Sequence, residues 1–530
     1  MAFKDLPSIL RKEITWGKSA DEIAGEGEGL NITVDGKETF IHEDVIAPSG
    51  KKSYWPIFTA GAGLFSDGYV NNSISTVSTC LSIIYGKQYT HSNALKNVSS
   101  IVFVGTVVGQ LSFGVFSDYI SRKTGMLVSS AGLILFAILC AGAWGVGTQA
   151  CYGCNAGGLF TALTIYRFFL GIFIGAEYPT GSAACAEASA LLPAGKRNRW
   201  FAWFTDFMID LGFVISAFVP MVMLWICGPK NLQPVWRVTL GIGAIFPCSL
   251  FIMRLYFAEG EQFKKLNFKK ATVPWLLVLR FYWFRLLIVA IIWWIYDFSS
   301  YAFGIYSAPI LNTIIPDGDL YKTFGWNVVF NLFYMPGAFL GAIAADYIGP
   351  RLTLASGVFA QAIIGYAMAG SYATLSKHVA GFTVVYGIFM TLGEFGPGDN
   401  IGLLAAKTSA TPIRGIYYGM AAAFGKIGAF CGTYAFPSFQ EHYPGIKGYQ
   451  VPFYLASSLA AFAGLLALFC LPPVDQEAMQ REDLKFLQFL SANGFDVTQL
   501  GEGSFGSAVK PLEETVHVED NKTAKEDESA

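Results

Sequence analysis

Charge is what this chain has least of. Asp, Glu, Lys and Arg make up 14% of its 530 residues, where soluble domains carry about 25%. The 36 basic and 38 acidic residues nearly cancel, leaving a net charge of −2. No basic field exists to recruit nucleic acid. Histidine is scarcer still: His42, His91, His378, His442 and His517 are the whole set, all outside the centres of the apolar runs. No Ser/His/Asp set and no metal-spaced histidine cluster appears, so the chain does not read as an enzyme and calls for no metal or other cofactor. The nine Cys are scattered through apolar runs as packed thiols, not as a disulfide framework. Cys151 and Cys154 in "CYGC" read as a plain loop, the alternative being a local disulfide. No signal peptide is expected either, because the first 54 residues are polar and "GEGEG" at 25–29 is no hydrophobic core region.

What remains is apolar: 53% hydrophobic and 15% aromatic residues, with a mean hydropathy of +0.45. Windows of about 20 apolar residues, enough to cross roughly 30 Å of hydrocarbon, recur at 57–84, 98–119, 125–144, 159–182, 201–227 and 237–257. Six more lie at 286–310, 325–345, 353–371, 379–398, 414–437 and 451–471. The expectation is an all-α membrane protein of twelve transmembrane helices in two six-helix bundles. A tail (1–54), a first bundle (55–257), a basic connector (258–285), a second bundle (286–471) and a charged tail (472–530) divide the chain. Fourteen Lys and Arg fall in the even-to-odd connections and seven in the opposite set. By the positive-inside rule both termini and the connector are then cytosolic. Glycosylation sequons at Asn31 and Asn521 fall on that side, and those at Asn71 and Asn97 lie in or against a span, so none reads as a glycosylation site.

The halves are repeats. "GVFSDYISRK" after span two and "AIAADYIGPR" after span eight share an Asp-Tyr-Ile core, with Asp346 lying 228 positions after Asp118; Asp67 and Asp297, in spans one and seven, are 230 apart. Matching offsets at two independent pairs indicate duplicated halves with a site between them near the midplane. A glycine-rich "GEGSFG" at 501–506 imitates a nucleotide loop, but too little chain follows it for a catalytic domain.

Ionisable residues inside spans are costly and mark functional positions. In "RFFLGIFIGAEYPTGSAACAEAS" the rise from Arg167 to Glu187 covers about 30 Å, so Glu177 sits at mid-membrane. Asp67, Asp297 and Lys426 fall at the same level of spans one, seven and eleven. The expectation is a shared chamber in which Asp67, Glu177 and Asp297 outnumber Lys426, so an anion enters only with protons, against Lys426. Trp293 and Tyr301, one turn either side of Asp297, share its helix face. Gly396, Pro397 and Gly398 break span ten where backbone lines a cavity, which brings Asp399 within reach of substrate; Glu394 beside them reads as a residue of a water-open turn. Arg167 and Glu187, toward the helix ends, read as members of structural or gating ion pairs. Asp118, Arg122 and Asp346 read as latches between the halves, in a basic rim that includes Arg414. Asp210 has no assignable role.

At these residues the chain resembles the major facilitator superfamily, and within it the phosphate:proton symporter branch. "AGAGLFSDGY", "RFFLGIFIGAEYP", "WWIYDFSSY" and "RGIYYGMAAAFGKIGA" carry the resemblance. It implies proton transfer at Asp67 and Glu177 and a substrate site at Trp293, Asp297, Tyr301 and Lys426; the charge balance adds Asp297 to the proton-coupling groups, and Tyr178, beside Glu177, is expected to bind substrate. Glutamate in "GAEYPTGSAA", aspartate in "GPGDNIG" and the run "ATPIRGIYYG" depart from plain phosphate carriers. They are similar to fungal glycerophosphoinositol and glycerophosphodiester permeases over residues 55–475. The resemblance implies a plasma-membrane, proton-coupled importer of a glycerophosphodiester such as glycerophosphoinositol or glycerophosphocholine, working as a monomer by alternating access. The alternatives are a symporter of inorganic phosphate or an organic carboxylate, and a non-transporting nutrient sensor of the same fold.

Overall fold

The computed structural model describes residues 13–16, 18, 29–34, 37–42, 53–315 and 318–501. The glycine-rich stretch after Gly501, His517 and the Asn521 sequon lie outside them. Ten described helices are long and apolar enough to cross a membrane. These are Ala94–Tyr119, Arg122–Ala141, Leu159–Ser189, Arg197–Cys227 and Leu232–Leu255 in the first half, and Trp275–Ile305, Leu320–Tyr347, Pro350–Leu375, Val379–Lys407 and Lys447–Cys470 in the second. They occupy ten of the twelve expected positions.

The other two, spans one and eleven, are helical but too polar to qualify on hydropathy. Span one runs through Trp55–Gly61, Ala62–Leu64 and Phe65–Tyr85, and span eleven is Arg414–His442. Nearly all of Phe65–Tyr85 is buried inside protein. Several of its hydroxyls are satisfied within the helix, Ser73 donating to the Val70 carbonyl, Thr76 to Ser73 and Thr79 to Ser75. A helix enclosed by others needs no lipid-compatible surface, and glycine lets it approach its neighbours. A methyl on Gly68 would collide with the Ile209 carbonyl of span five, and one on Gly428 of span eleven with the Trp294 carbonyl of span seven.

The halves meet along spans two and eleven, five and eight, and one and seven. Spans four and ten each open into a five-residue π-turn, Tyr178–Ser182 and Glu394–Gly398, built around Pro179 and Pro397. Proline lacks the N–H that would close an α-turn, and the wider turn re-aims the side chains around it. Span ten is therefore widened at "EFGPG", not broken there.

Two features differ from expectation at the face that carries the described parts of the two tails. Span seven begins at Trp275 rather than 286; Arg280 and Arg285 had disguised its first turns as connector, but Arg285 is half-buried against Glu482 at 2.6 Å. Part of the C-terminal tail is structured. Ala478–Ala492 is a helix that buries Met479, Leu484, Phe486, Leu487 and Leu490, while Asp483 accepts from the Thr411 N–H and hydroxyl at 2.6 and 2.8 Å. Burial pushes the Asp483 carboxyl above its usual range. In the N-terminal tail, strands Gly29–Val34 and Lys37–His42 pair antiparallel and the first lies against this helix. Cys151 and Cys154 form a disulfide, the alternative reading of "CYGC" and not the plain loop.

The N-terminal tail also reaches the second half. Arg351 donates to both oxygens of Glu13, at 2.9 and 2.5 Å, and both residues are fully buried. Removing one partner of a buried ion pair costs roughly 3 kcal/mol or more. Glu13→Ala is expected to lower the Tm of the detergent-solubilised protein, measured by fluorescence-detected unfolding, while leaving membrane insertion unchanged.

Candidate substrate chamber

Lys426, 1% exposed, sits on the inter-half axis between two carboxylates from repeated positions. Its Nζ is 3.5 Å from Asp67 and 3.3 Å from Asp297, and it donates to the Tyr301 hydroxyl at 2.5 Å. Asp67 accepts further from Tyr301 at 2.6 Å, Tyr178 at 2.5 Å and Asn71 at 2.5 Å. The ammonium also lies over the ring faces of Tyr301 and Tyr178, 3.8 and 5.0 Å from their centroids. The indole of Trp293 stands edge-on to Tyr418 with centroids 5.4 Å apart. The Asp67 and Asp297 pair, Trp293, Tyr301, Tyr178 and Lys426 thus assemble as the sequence led us to expect.

The opposite wall comes from spans five and ten. Asp206, Glu394 and Asp399 line the same chamber as Asp297 and Lys426. Tyr296 donates to Glu394 at 2.6 Å. Glu394 is 2% exposed, so it belongs to the chamber wall and not to a water-open turn. Asp399 lines the chamber as expected. Asp206 and Tyr296 were missed, although the four-residue spacing of Asp206 and Asp210 inside an apolar helix is the signal that finds Asp206. Lys426 is the one base among the residues lining this chamber. The space they enclose is about 40 Å³, room for a few waters, so this is a contracted form.

Glu177 is a correction. It is buried as expected, but it does not line the chamber. Arg254 of span six grips it with two nitrogens, at 2.6 and 2.7 Å, and Ser129 donates to it at 2.6 Å. The carboxylate is packed against Gly63 inside the first half, behind Tyr178. Arg254 lay near the expected end of span six, where an arginine reads as an interfacial residue. Arg167 is a second correction: among the described residues it joins no ion pair, and its guanidinium donates to the Val98 and Val70 carbonyls at 2.8 and 3.5 Å, tying span four to spans two and one.

The remaining residues expected to gate lie at the face that carries the described parts of the two tails. Asp118 accepts from the Gly415 and Ile416 N–H groups at 2.9 and 2.7 Å, at the start of span eleven. Asp346, its repeat counterpart, accepts from the Asn198 N–H at 3.1 Å, at the start of span five. Each half thus places a carboxylate at the positive end of a helix in the other half. Glu187 joins Arg122 at 2.8 Å to Arg414 at 3.0 Å, and Arg199 binds Asp346 at 2.5 Å. Beyond Asp67 on the other side, Asn72 donates to Asn331 at 2.8 Å and Ser75 meets Ser307 at 3.3 Å. Contacts between the halves thus lie on both sides of the chamber.

Residues 56–265 and 256–480 match the sugar (and other) transporter family. The chain belongs to that family. It is 54% identical over 93% of its length to the major glycerophosphoinositol permease of Candida albicans, covering 91% of that protein. It is 51% identical to the glycerophosphocholine permease of the same organism, with 98% of each chain covered. Among solved structures it is similar to the proton:xylose symporter XylE, with a TM-score of 0.67 and 15% identity over 82% of this chain and 98% of that one. That likeness shows the major facilitator fold. This transporter is therefore a multi-pass membrane protein whose named relatives are permeases, not enzymes.

Proposed function

We propose that this transporter imports a glycerophosphodiester together with protons, by alternating access, across the plasma membrane, with both termini cytosolic and as a monomer. The observation that carries the reading is Lys426, a buried ammonium between Asp67 and Asp297 in a chamber lined by four carboxylates and no other base. The permease relatives supply the substrate class. An anionic phosphodiester docking at Lys426 displaces the carboxylates that now neutralise it. Bare charges in so small a space are prohibitive, so protons entering with the substrate are the counter-charge. Asp67 and Asp297 are the coupling groups of this proposal; Glu177, held by Arg254, is not among them. Release on the inner side requires the Asp118, Glu187 and Asp346 contacts to part.

The test is uptake of labelled glycerophosphodiesters by the full chain in a host lacking such uptake, at two external pH values, with inorganic phosphate and a dicarboxylate as competitors. Uptake is expected to rise at the lower pH and to be competed by unlabelled glycerophosphodiester but not by the dicarboxylate. Uptake indifferent to pH would remove the coupling, and binding without flux would turn the reading to a sensor.

A further inference from the structure

The acidic wall has no use in anion binding at Lys426. Carboxylate oxygens of Asp206, Asp210 and Glu394 lie within 4.8 Å of one another, and Asp399 adds a fourth group to that wall, packed over Gly341 of span eight. Asp210 is 0% exposed, and neither of its oxygens has a hydrogen-bond partner. Lys426 is engaged by Asp67 and Asp297 at the other end. Buried carboxylates without a counter-charge carry a large desolvation penalty. The wall also carries aromatic rings: Tyr296, bonded to Glu394, with Phe201, Phe213 and Trp293 around the chamber.

We propose that this wall is a subsite for a cationic headgroup. The chamber is then bipolar: the phosphate of the substrate meets Lys426, while an ammonium on the headgroup meets Asp206, Glu394 and Asp399 beside the rings. The proposal rests on the glycerophosphodiester reading above and narrows it to zwitterionic members such as glycerophosphocholine. A polyol headgroup donates hydrogen bonds to carboxylates but leaves their charge unbalanced. An ammonium offsets part of it and gains cation–π attraction from the rings as well.

The decisive probe is an isostere of glycerophosphocholine with an uncharged headgroup, in which a carbon replaces the quaternary nitrogen and the phosphodiester keeps its charge, compared with labelled glycerophosphocholine in the same uptake assay. The wild-type chain is expected to show an apparent KM about tenfold lower for the charged substrate, and Asp399→Asn and Asp206→Asn to narrow that gap to about threefold or less. Equal handling of the two probes by the wild-type chain overturns the subsite, and so do variants that slow both probes by one factor, as a proton relay would. If a variant does not reach the membrane, the wild-type comparison alone decides. Brisk uptake without charge preference removes this subsite and leaves the proposed function standing; no uptake of any glycerophosphodiester removes both.

Discussion

Lys426→Ala is expected to reduce glycerophosphodiester uptake at least about 100-fold with the protein still inserted and present at normal abundance. Truncating one member of a desolvated charge pair costs about 2–5 kcal/mol, and here the same ammonium serves Asp67, Asp297 and the incoming anion. Its loss leaves two carboxylates facing each other across the axis with only Tyr178, Tyr301 and Asn71 as donors to Asp67. Arginine is no substitute. The Tyr301 ring face lies 3.8 Å from Nζ and the hydroxyl accepts at 2.5 Å, a fit to a compact ammonium that a planar guanidinium does not share. Uptake in the null host, normalised to surface protein, checks both variants. Normal uptake by Lys426→Ala removes the anion site and the proposed function with it.

Arg254→Ala is expected to fail earlier, in accumulation or stability. It leaves Glu177, 1% exposed, with Ser129 as its remaining side-chain donor, and breaking a buried pair from one side costs roughly 3–5 kcal/mol. Replacing both partners by apolar residues of similar volume is often neutral, so Glu177→Met with Arg254→Met should recover most of the lost protein. That double variant also separates two roles for Glu177. Transport with the wild-type pH profile makes the Glu177 and Arg254 pair structural, as the geometry has it. Transport that no longer responds to pH restores the proton role implied by the motif resemblance.

The sequence made the fold and part of the chamber legible. Windows of span length marked all twelve helices, because the length needed to cross a bilayer is a local property of the chain, although spans one and eleven are too polar to qualify on hydropathy. Hydropathy underrated the start of span seven, where Arg280 and Arg285 interrupt the apolar run and Arg285 pairs with Glu482 of the C-terminal helix. The Asp67 and Asp297 repeat, with Lys426, pointed to one site, and those three converge. The acidic wall was half seen: Asp399 was flagged through the glycines and proline beside it, Glu394 was read as water-exposed, and Asp206 was passed over.

What the sequence determined by itself is which residues carry an unpaid charge inside the membrane, since that follows from residue type and depth alone. Which partner discharges each one was decided only by the tertiary structure. Glu177 and Arg254 are 77 positions apart, and Lys426 and Asp67 are 359 apart, distances over which no periodicity holds. The face each helix turns inward is set by close glycine contacts and by the π-turns at Tyr178–Ser182 and Glu394–Gly398. A rotation of one residue there, about 100°, decides whether a carboxylate meets substrate or an arginine.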